Sequence, residues 1–189
     1  MSDRPPLLDT NVLVSRFDAD APGKRAASRR IVEACFLGEA EYSVPVQNLA
    51  EFAVVVTGKV EHPMPTDEVR QFVKAVAGFD GYHGAGYGAM SVDRALEVRE
   101  RDRFRFRDAL LDSTMLEHGI GTVFSEDAHL SCVPGIAVVD PFSSERPGGL
   151  DTIRDGRRAA GPAGQAICLP ARSSDHGGEY AVQGRHTGP

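Results

Sequence analysis

The sequence contains no tryptophan and few cysteines, and both facts exclude classes of protein. Without tryptophan, the chain has no Trp platform on which nucleic-acid bases could stack. Its three cysteines, Cys35, Cys132 and Cys168, are far apart, include no CxxC pair and are odd in number. This pattern excludes a disulfide framework and a zinc site built from paired cysteines. We expect reduced thiols in a cytoplasmic protein.

Long hydrophobic runs and a positive net charge are also absent. No apolar stretch approaches the roughly 18 residues that a membrane helix needs, and the start "MSDRPPLLD" lacks the basic and hydrophobic regions of a signal peptide. We therefore expect no membrane association. The formal net charge of −6 disfavours broad, non-specific adhesion to nucleic acid, which depends on Lys and Arg. It remains compatible with a nuclease whose acidic site holds cations.

Composition changes near residue 143. The segment 143–189 has nine Gly and four Pro in 47 residues, a fraction typical of disordered or low-complexity sequence. Its six Arg and five acidic residues give this segment a net charge of +1. Since the whole chain has −6, residues 1–142 have a net charge of −7. We expect one folded domain over 1–142, followed by a disordered Gly/Pro/Arg-rich tail over 143–189.

Strand-like and helix-like patterns alternate within residues 1–142. They predict strands at 7–9 and 42–46 and in "GTVFS" and "IAVVD", and helices over 23–37, 47–60, 66–79, 91–100 and 108–118. Thr66 is the expected N-cap of its helix, and the glycine-rich "GFDGYHGAGYGAM" predicts a flexible loop near the site. Alternating strands and helices imply βαβ units and a mostly parallel sheet. In such sheets, functional sites gather at the carboxyl ends of strands.

Four acidic residues stand at positions unusual for surface charges. Asp9 ends the first apolar strand in "LLDTNVLV", and Glu51 lies among apolar residues in "VQNLAEFAVVV". Asp108 opens "DALLDSTMLEHG", and Asp127 follows a strand in "VFSED". Each Asp taken alone has a simpler explanation, because Asp commonly forms turns after strands or begins helices. Glu51 is the hardest to explain as a surface charge.

If the four carboxylates share one edge of the sheet, their repulsion needs a cation. Two carboxylates about 5 Å apart repel by roughly 3 kcal/mol at an effective dielectric of about 20. Oxygen ligands without His or Cys select a hard cation, Mg²⁺ or Mn²⁺. Such ions bind substrate phosphates and activate water for in-line displacement, which is the chemistry of phosphodiester hydrolysis.

Four motifs occur in an order that resembles the PIN-domain ribonucleases, above all the VapC-like toxins of bacterial type II toxin–antitoxin pairs. They are "LLDTNVLV", "VPVQNLAEF", "RDALLDSTMLEHGIGTVFSED" and "IAVVDPF", within residues 6–142. The resemblance implies an α/β fold, a three-layer α/β/α sandwich with a mostly parallel central sheet. It also implies an acidic cluster that binds Mg²⁺ or Mn²⁺ and endonucleolytic cleavage of RNA.

The same resemblance assigns roles to individual residues. The catalytic acids that it implies are Asp9, Glu51, Asp108 and Asp127. Asp9 and Asp108 are the expected direct metal ligands, and Glu51 and Asp127 complete the shell, partly through waters. The small polar residues Thr10, Asn11 and Ser125 are expected to orient carboxylates, waters or substrate.

Two acidic residues depart from the family pattern. Asp112 stands one turn after Asp108, where such helices more often carry a small residue. It is either a fifth acid or a residue that faces solvent. Glu126 is adjacent to Asp127, so either residue could supply the last acid.

Arginines alternate with other residues in "RERDRFRFRD", just before Asp108. They are Arg99, Arg101, Arg103, Arg105 and Arg107. If the segment is extended, their guanidinium groups lie on one side beside the site and suit RNA phosphates, with Arg105 and Arg107 positioning the substrate. The alternative is a solvated, salt-bridged segment whose phenylalanines pack inward.

The leading hypothesis is a metal-dependent endoribonuclease that acts as a growth-inhibiting toxin. By the family resemblance it has a cognate antitoxin, whose carboxyl-terminal segment covers the acidic groove, and it forms a homodimer. One alternative is a catalytically degenerate PIN-like module that binds RNA or a protein partner without cutting. A DNA or flap nuclease is a third possibility, since it shares the same set of acids.

Overall fold

The computed structural model describes residues 4–102 and 104–143, so Arg103 and almost all of the predicted tail lie outside the described residues. The strands are β1 (Leu7–Leu8), β2 (Tyr42–Pro45), β3 (Tyr82–Ala85), β4 (Thr122–Phe124) and β5 (Ala137–Val139). The helices are α1 (Thr10–Ser15), α2 (Pro22–Phe36), α3 (Val46–Gly58), α4 (Thr66–Ala77), α5 (Ala89–Asp102), α6 (Phe106–Glu117) and a 3₁₀ helix (Ala128–Cys132). None of the described helices is long and apolar enough to cross a membrane.

The five strands form one sheet in which every pair is parallel, in the order β3-β2-β1-β4-β5. This confirms the predicted parallel sheet. The chain builds β2 and β3 on one side of β1 and then returns to add β4 and β5 on the other. Parallel sheets bind ligands in the crevice at such a reversal, beyond the carboxyl ends of the strands.

Helices cover both faces of the sheet. Leu7 and Leu8 are both fully buried, and they point to opposite faces because side chains alternate along a strand. Leu8 joins an apolar core that includes Phe52 of α3, whereas Leu7 packs with Leu111 and Met115 of α6. The three-layer α/β/α sandwich is therefore confirmed.

Two local predictions were wrong, and one short helix was not predicted. Pro65, not Thr66, is the N-cap of α4, and no side-chain hydrogen bond caps this helix. The glycine-rich stretch contains the edge strand β3, which pairs with β2 away from β1, so it is not simply a loop near the site. Gly81 permits this packing, since a Cβ there would lie 3.0 Å from Cys35 Sγ. Helix α1 is absent from the predicted elements because its apolar run is too short to show helical spacing.

Most of the described part of the arginine-rich segment is helical. Arg99 and Arg101 lie in the last turn of α5, Arg105 is the N-cap of α6, and Arg107 lies within α6. The phenylalanines of this segment pack against the apolar cluster that joins α5 to α6. The alternative interpretation placed these rings on the inside, and that part of it is confirmed. The four described arginines are divided between the end of α5 and the start of α6, so the structure does not show them in one row.

Cys35 is buried, and it is a free thiol. Burial raises its pKa to about 11, which keeps the thiol protonated near neutral pH. The side chains of the other two cysteines lie outside the described residues.

Candidate active site

Asp9 lies directly after β1, and its carboxylate is held at both oxygens. As the N-cap of α1 it accepts the Thr10 backbone N–H at Oδ1 over 2.6 Å. Its Oδ2 accepts the Ser125 hydroxyl over 2.6 Å and Asn11 Nδ2 over 2.8 Å. Burial raises the pKa of Asp9, the hydrogen bonds from Ser125 and Thr10 lower it, and the charges on Asp127 and Asp108 raise it further. Asp9 is thus a rigidly oriented carboxylate at the sheet edge.

Ser125 follows β4 and is fully buried. Besides donating to Asp9, its Oγ accepts Asn11 Nδ2 and the backbone N–H of Asp127, each over 2.9 Å. A hydroxyl has one donor and two acceptor lone pairs, so all of them are used. Ser125 therefore joins the ends of β1 and β4 at the point where the order of the strands reverses.

Asp127 and Glu126 are neighbours in sequence but have different surroundings. Asp127 Oδ1 accepts the backbone N–H of His129 over 2.9 Å at the start of the 3₁₀ helix, and its charge acts on Asp9. Glu126 is exposed and forms an ion pair with Lys24. Asp127 is accordingly the acid of this pair that contributes charge to the site.

Glu51 reaches the same edge from α3, the helix that follows β2. It is 18% exposed and forms an ion pair with Arg107. Thr10 Oγ1 donates to Glu51 Oε2 over 3.1 Å, so Thr10 connects this carboxylate with Asp9. One turn earlier, Asn48 Nδ2 donates to the Leu8 carbonyl over 3.0 Å and fixes α3 against β1.

Asn48 is a positioning residue that sequence reasoning missed. It is fully buried in the first turn of α3. Its place in the first turn of a helix that directly follows a strand was the signal that could have identified it.

Asp108 lies in the first turn of α6. Because α6 leads through Gly119, at φ +67°, into β4, its first turn lies at the carboxyl edge of the sheet. Burial raises the pKa of Asp108, Arg107 lowers it, Asp127 raises it, and Arg105 lowers it. The charges of both arginines and of Asp127 therefore act on this carboxylate.

Asp112 does not face solvent, contrary to one of the two alternatives. Only 2% of it is exposed, and its Oδ1 is buried with no hydrogen-bond partner. Burial, followed by the charges on Asp108 and Asp127, raises its pKa to about 7. Asp112 is thus a fifth carboxylate near the cluster.

The structure brings the sequence-predicted acids to one edge of the sheet. Thr10 donates to both Asp9 and Glu51, and Ser125 donates to Asp9 and accepts the backbone N–H of Asp127. The charge of Asp108 acts on Asp9. In the described part of the chain, no three His, Cys, Asp or Glu side chains form a group that could hold a metal ion as they stand. The carboxylate oxygens of Asp9 are instead held by hydrogen bonds, and Glu51 is paired with Arg107.

The chemistry of these residues fits a hard divalent cation. Every acidic side chain of the cluster offers oxygen ligands, which Mg²⁺ and Mn²⁺ prefer. Burial and mutual repulsion raise the pKa values of Asp9 and Asp108, and the buried Oδ1 of Asp112 lacks a partner. A cation would favour the ionised form of all these groups.

Comparison with known proteins identifies the family. The family model of the PIN domain matches residues 7–136. A solved structure described as "Toxin-antitoxin complex from Klebsiella pneumoniae" is similar at a TM-score of 0.49 and 17% identity, over 72% of this chain and 97% of that chain. No curated protein matches in sequence. Because the family model spans more than half of the chain, the chain belongs to the PIN-domain family, whose members are generally nucleases.

Proposed function

We propose that this protein is a metal-dependent endoribonuclease that hydrolyses RNA phosphodiester bonds as the toxic component of a toxin–antitoxin pair. The observation that carries the proposal is the cluster at the ends of β1 and β4, where Ser125 bonds to both Asp9 and the Asp127 backbone and the charges of Asp108 and Asp127 raise the pKa of Asp9. Membership of the PIN family supports a nuclease. The ordered motifs that resemble VapC-like toxins support RNA as substrate and the toxin role.

The proposal includes a divalent cation, which PIN-domain nucleases typically use. Asp9 and Asp108 would bind Mg²⁺ or Mn²⁺ directly, and Glu51 and Asp127 would complete the shell, partly through waters. When bound, the cation supplies a positive charge beside the scissile phosphate and lowers the pKa of a bound water.

Neighbouring side chains prepare the acids for this role. Ser125 and Asn11 hold one oxygen of Asp9, and the Thr10 backbone holds the other. Ligands that are oriented before binding lose little conformational freedom when they bind. Glu51 or Asp127 would orient the attacking water by accepting a hydrogen bond from it.

Two arginines are available to the RNA backbone. Arg105 and Arg107 are exposed at the start of α6, beside Asp108. Guanidinium groups match phosphate oxygens in charge and geometry. Arg107 pairs with Glu51 in the free protein, so it would exchange this carboxylate for a substrate phosphate.

The proposed protein partners are a cognate antitoxin and a second copy of this chain. An antitoxin arginine inserted among the carboxylates would make the same kind of contact that Arg107 already makes with Glu51.

Large exposed apolar side chains on α3 and α5, including Val54, Met90 and Leu96, are available to a homodimer interface. Analytical ultracentrifugation of the free protein tests the dimer, and a sedimentation coefficient of a monomer would contradict it.

The Arg107–Glu51 ion pair also favours a second candidate, a catalytically degenerate PIN-like module that binds RNA or a protein partner. A guanidinium that stays on Glu51 would neutralise part of the cluster without a metal. The two candidates differ in metal binding, because a degenerate module shows no Mn²⁺-dependent increase in Tm.

Cleavage assays with Asp9→Asn and Asp108→Asn test the nuclease. We expect each variant to lose RNA cleavage by more than about 100-fold, beyond the range typical of residues that only support ligands. Circular dichroism should show an intact fold, and the exposed Asp93→Asn on α5 is the matched control. Matched RNA and DNA strands, with Mg²⁺, Mn²⁺ or EDTA, test the substrate and the cation. Full cleavage by Asp108→Asn in Mg²⁺ would refute the proposal.

A further inference from the structure

Asp112 is a buried carboxylate that the four-acid site does not use. It lies in the middle of α6, so it caps neither end of the helix. The next two residues, Ser113 and Thr114, are also buried, but their hydroxyls donate to the carbonyls of Ala109 and Leu110 over 2.8 Å each. Asp112 Oδ1 is the exception, since it is buried and has no hydrogen-bond partner within the described residues.

The position of Asp112 directs it toward the acidic cluster. Residues four apart in an α-helix lie on one face, so Asp112 is one turn from Asp108 on the same side of α6. The charges of Asp108 and Asp127 both act on Asp112. Asp127 belongs to the segment after β4, so carboxylates on two elements lie close enough to Asp112 for their charges to act on it.

A buried carboxylate oxygen without a partner is unfavourable, and two neighbouring negative charges increase the cost. Within the described residues, Oδ1 accepts no hydrogen bond that would offset this cost. A divalent cation in the crevice would do so, because it supplies both the missing partner for the oxygen and the opposite charge.

We infer that Asp112 is a further cation-binding residue of this site, and that its carboxylate holds Mg²⁺ or Mn²⁺ together with Asp108, one helical turn away. This inference rests on the proposed function, since it needs the same cation. It adds a fifth carboxylate to the four acids, and its effect is tighter binding of the cation by the free protein.

Direct Mn²⁺ binding by the full-length protein tests the inference. Electron paramagnetic resonance measures free Mn²⁺ at pH 8 for the wild type, Asp112→Asn and Asp112→Ala. We expect the Kd for Mn²⁺ to rise by about 10- to 100-fold in both variants. Asp93→Asn should keep the wild-type Kd, because this residue is exposed on α5. A purely structural role of Asp112 would change thermal unfolding of the metal-free protein without changing the Kd.

The outcomes separate this inference from the proposed function. If the wild type binds Mn²⁺ and cleaves RNA while both variants keep its Kd, the inference is overturned and the nuclease stands. If the wild type binds no Mn²⁺ at millimolar concentrations, both are overturned. Loss of the fold in both variants would also overturn the inference, because the carboxylate would then be needed for structure.

Discussion

Asp112 should make the stability of the metal-free protein depend on pH. The pKa of this carboxyl is raised from 3.8 to about 7 in the folded protein. At about 1.36 kcal/mol per pKa unit, the shift corresponds to roughly 4 kcal/mol. The unfolded chain ionises near 3.8 and the folded protein only near 7, so the folded state retains the proton between these values. Stability is therefore lost as pH rises from about 4 to 7, and the full cost remains above pH 7.

Replacement of Asp112 by Asn removes the charge and leaves the shape almost unchanged. We expect the free energy of unfolding to rise by up to about 4 kcal/mol at pH 8 and by less than about 2 kcal/mol at pH 5. The upper value neglects the hydrogen bonds that the buried Asn amide leaves unmade, which reduce the gain. A corresponding increase in Tm of about 5–15 °C is expected at pH 8.

Urea denaturation in EDTA at several pH values between 5 and 8 measures this effect. Asp93→Asn, an exposed substitution on α5, controls for the loss of one negative charge from an acidic protein. A stability difference that does not change with pH, or an Asp112→Asn variant less stable than the wild type at pH 8, would refute the reasoning. Either result would mean that ionisation of Asp112 costs the folded protein less than its burial and its charged neighbours imply.

Three further substitutions test the positioning of the site. Ser125→Ala removes a hydrogen bond that lowers the pKa of Asp9, so this pKa should rise. The carboxyl ¹³C chemical shift measures it, and an unchanged or lower pKa would contradict the role of the Ser125 hydrogen bond. Asn48→Leu leaves the buried Leu8 carbonyl without its donor and should cost about 1–3 kcal/mol in urea denaturation, whereas unchanged stability would show that another donor replaces it. Phe52→Ala removes a fully buried ring from the core and should cost about 3–5 kcal/mol; a loss below about 1 kcal/mol would refute tight packing there.

Local sequence patterns were sufficient to predict much of the fold. Hydrophobic spacing identified the helices α2 to α6 to within a few residues, and short apolar runs identified β1, β2, β4 and β5. Burial against a common sheet imposes these periods on each segment separately. Alternation of the elements then implied a parallel sheet, and the ends of its strands indicated where Asp9 and Asp127 would lie.

Elements with weak or misleading local patterns could not be predicted in the same way. Strand β3 contains "YHGA", whose glycine and histidine carry little strand preference, and it forms because β2 offers it a parallel partner. The arginine-rich segment alternates like a strand, yet packing of Phe104 and Phe106 between α5 and α6 determines its conformation. Tertiary contacts decide these cases because the local preferences are small.

The sequence alone determined which residues could supply the chemistry, since the acids and their small polar neighbours are separate short motifs. Only the tertiary structure decided which of them face one another. Ser125 bonds to Asp9 across 116 residues, Glu126 turns to Lys24 while Asp127 joins the cluster, and Asp112 is buried rather than exposed. Spacing restricts a side chain only relative to its own helix or strand, whereas the packing of those elements against each other sets its partners, its exposure and its charge.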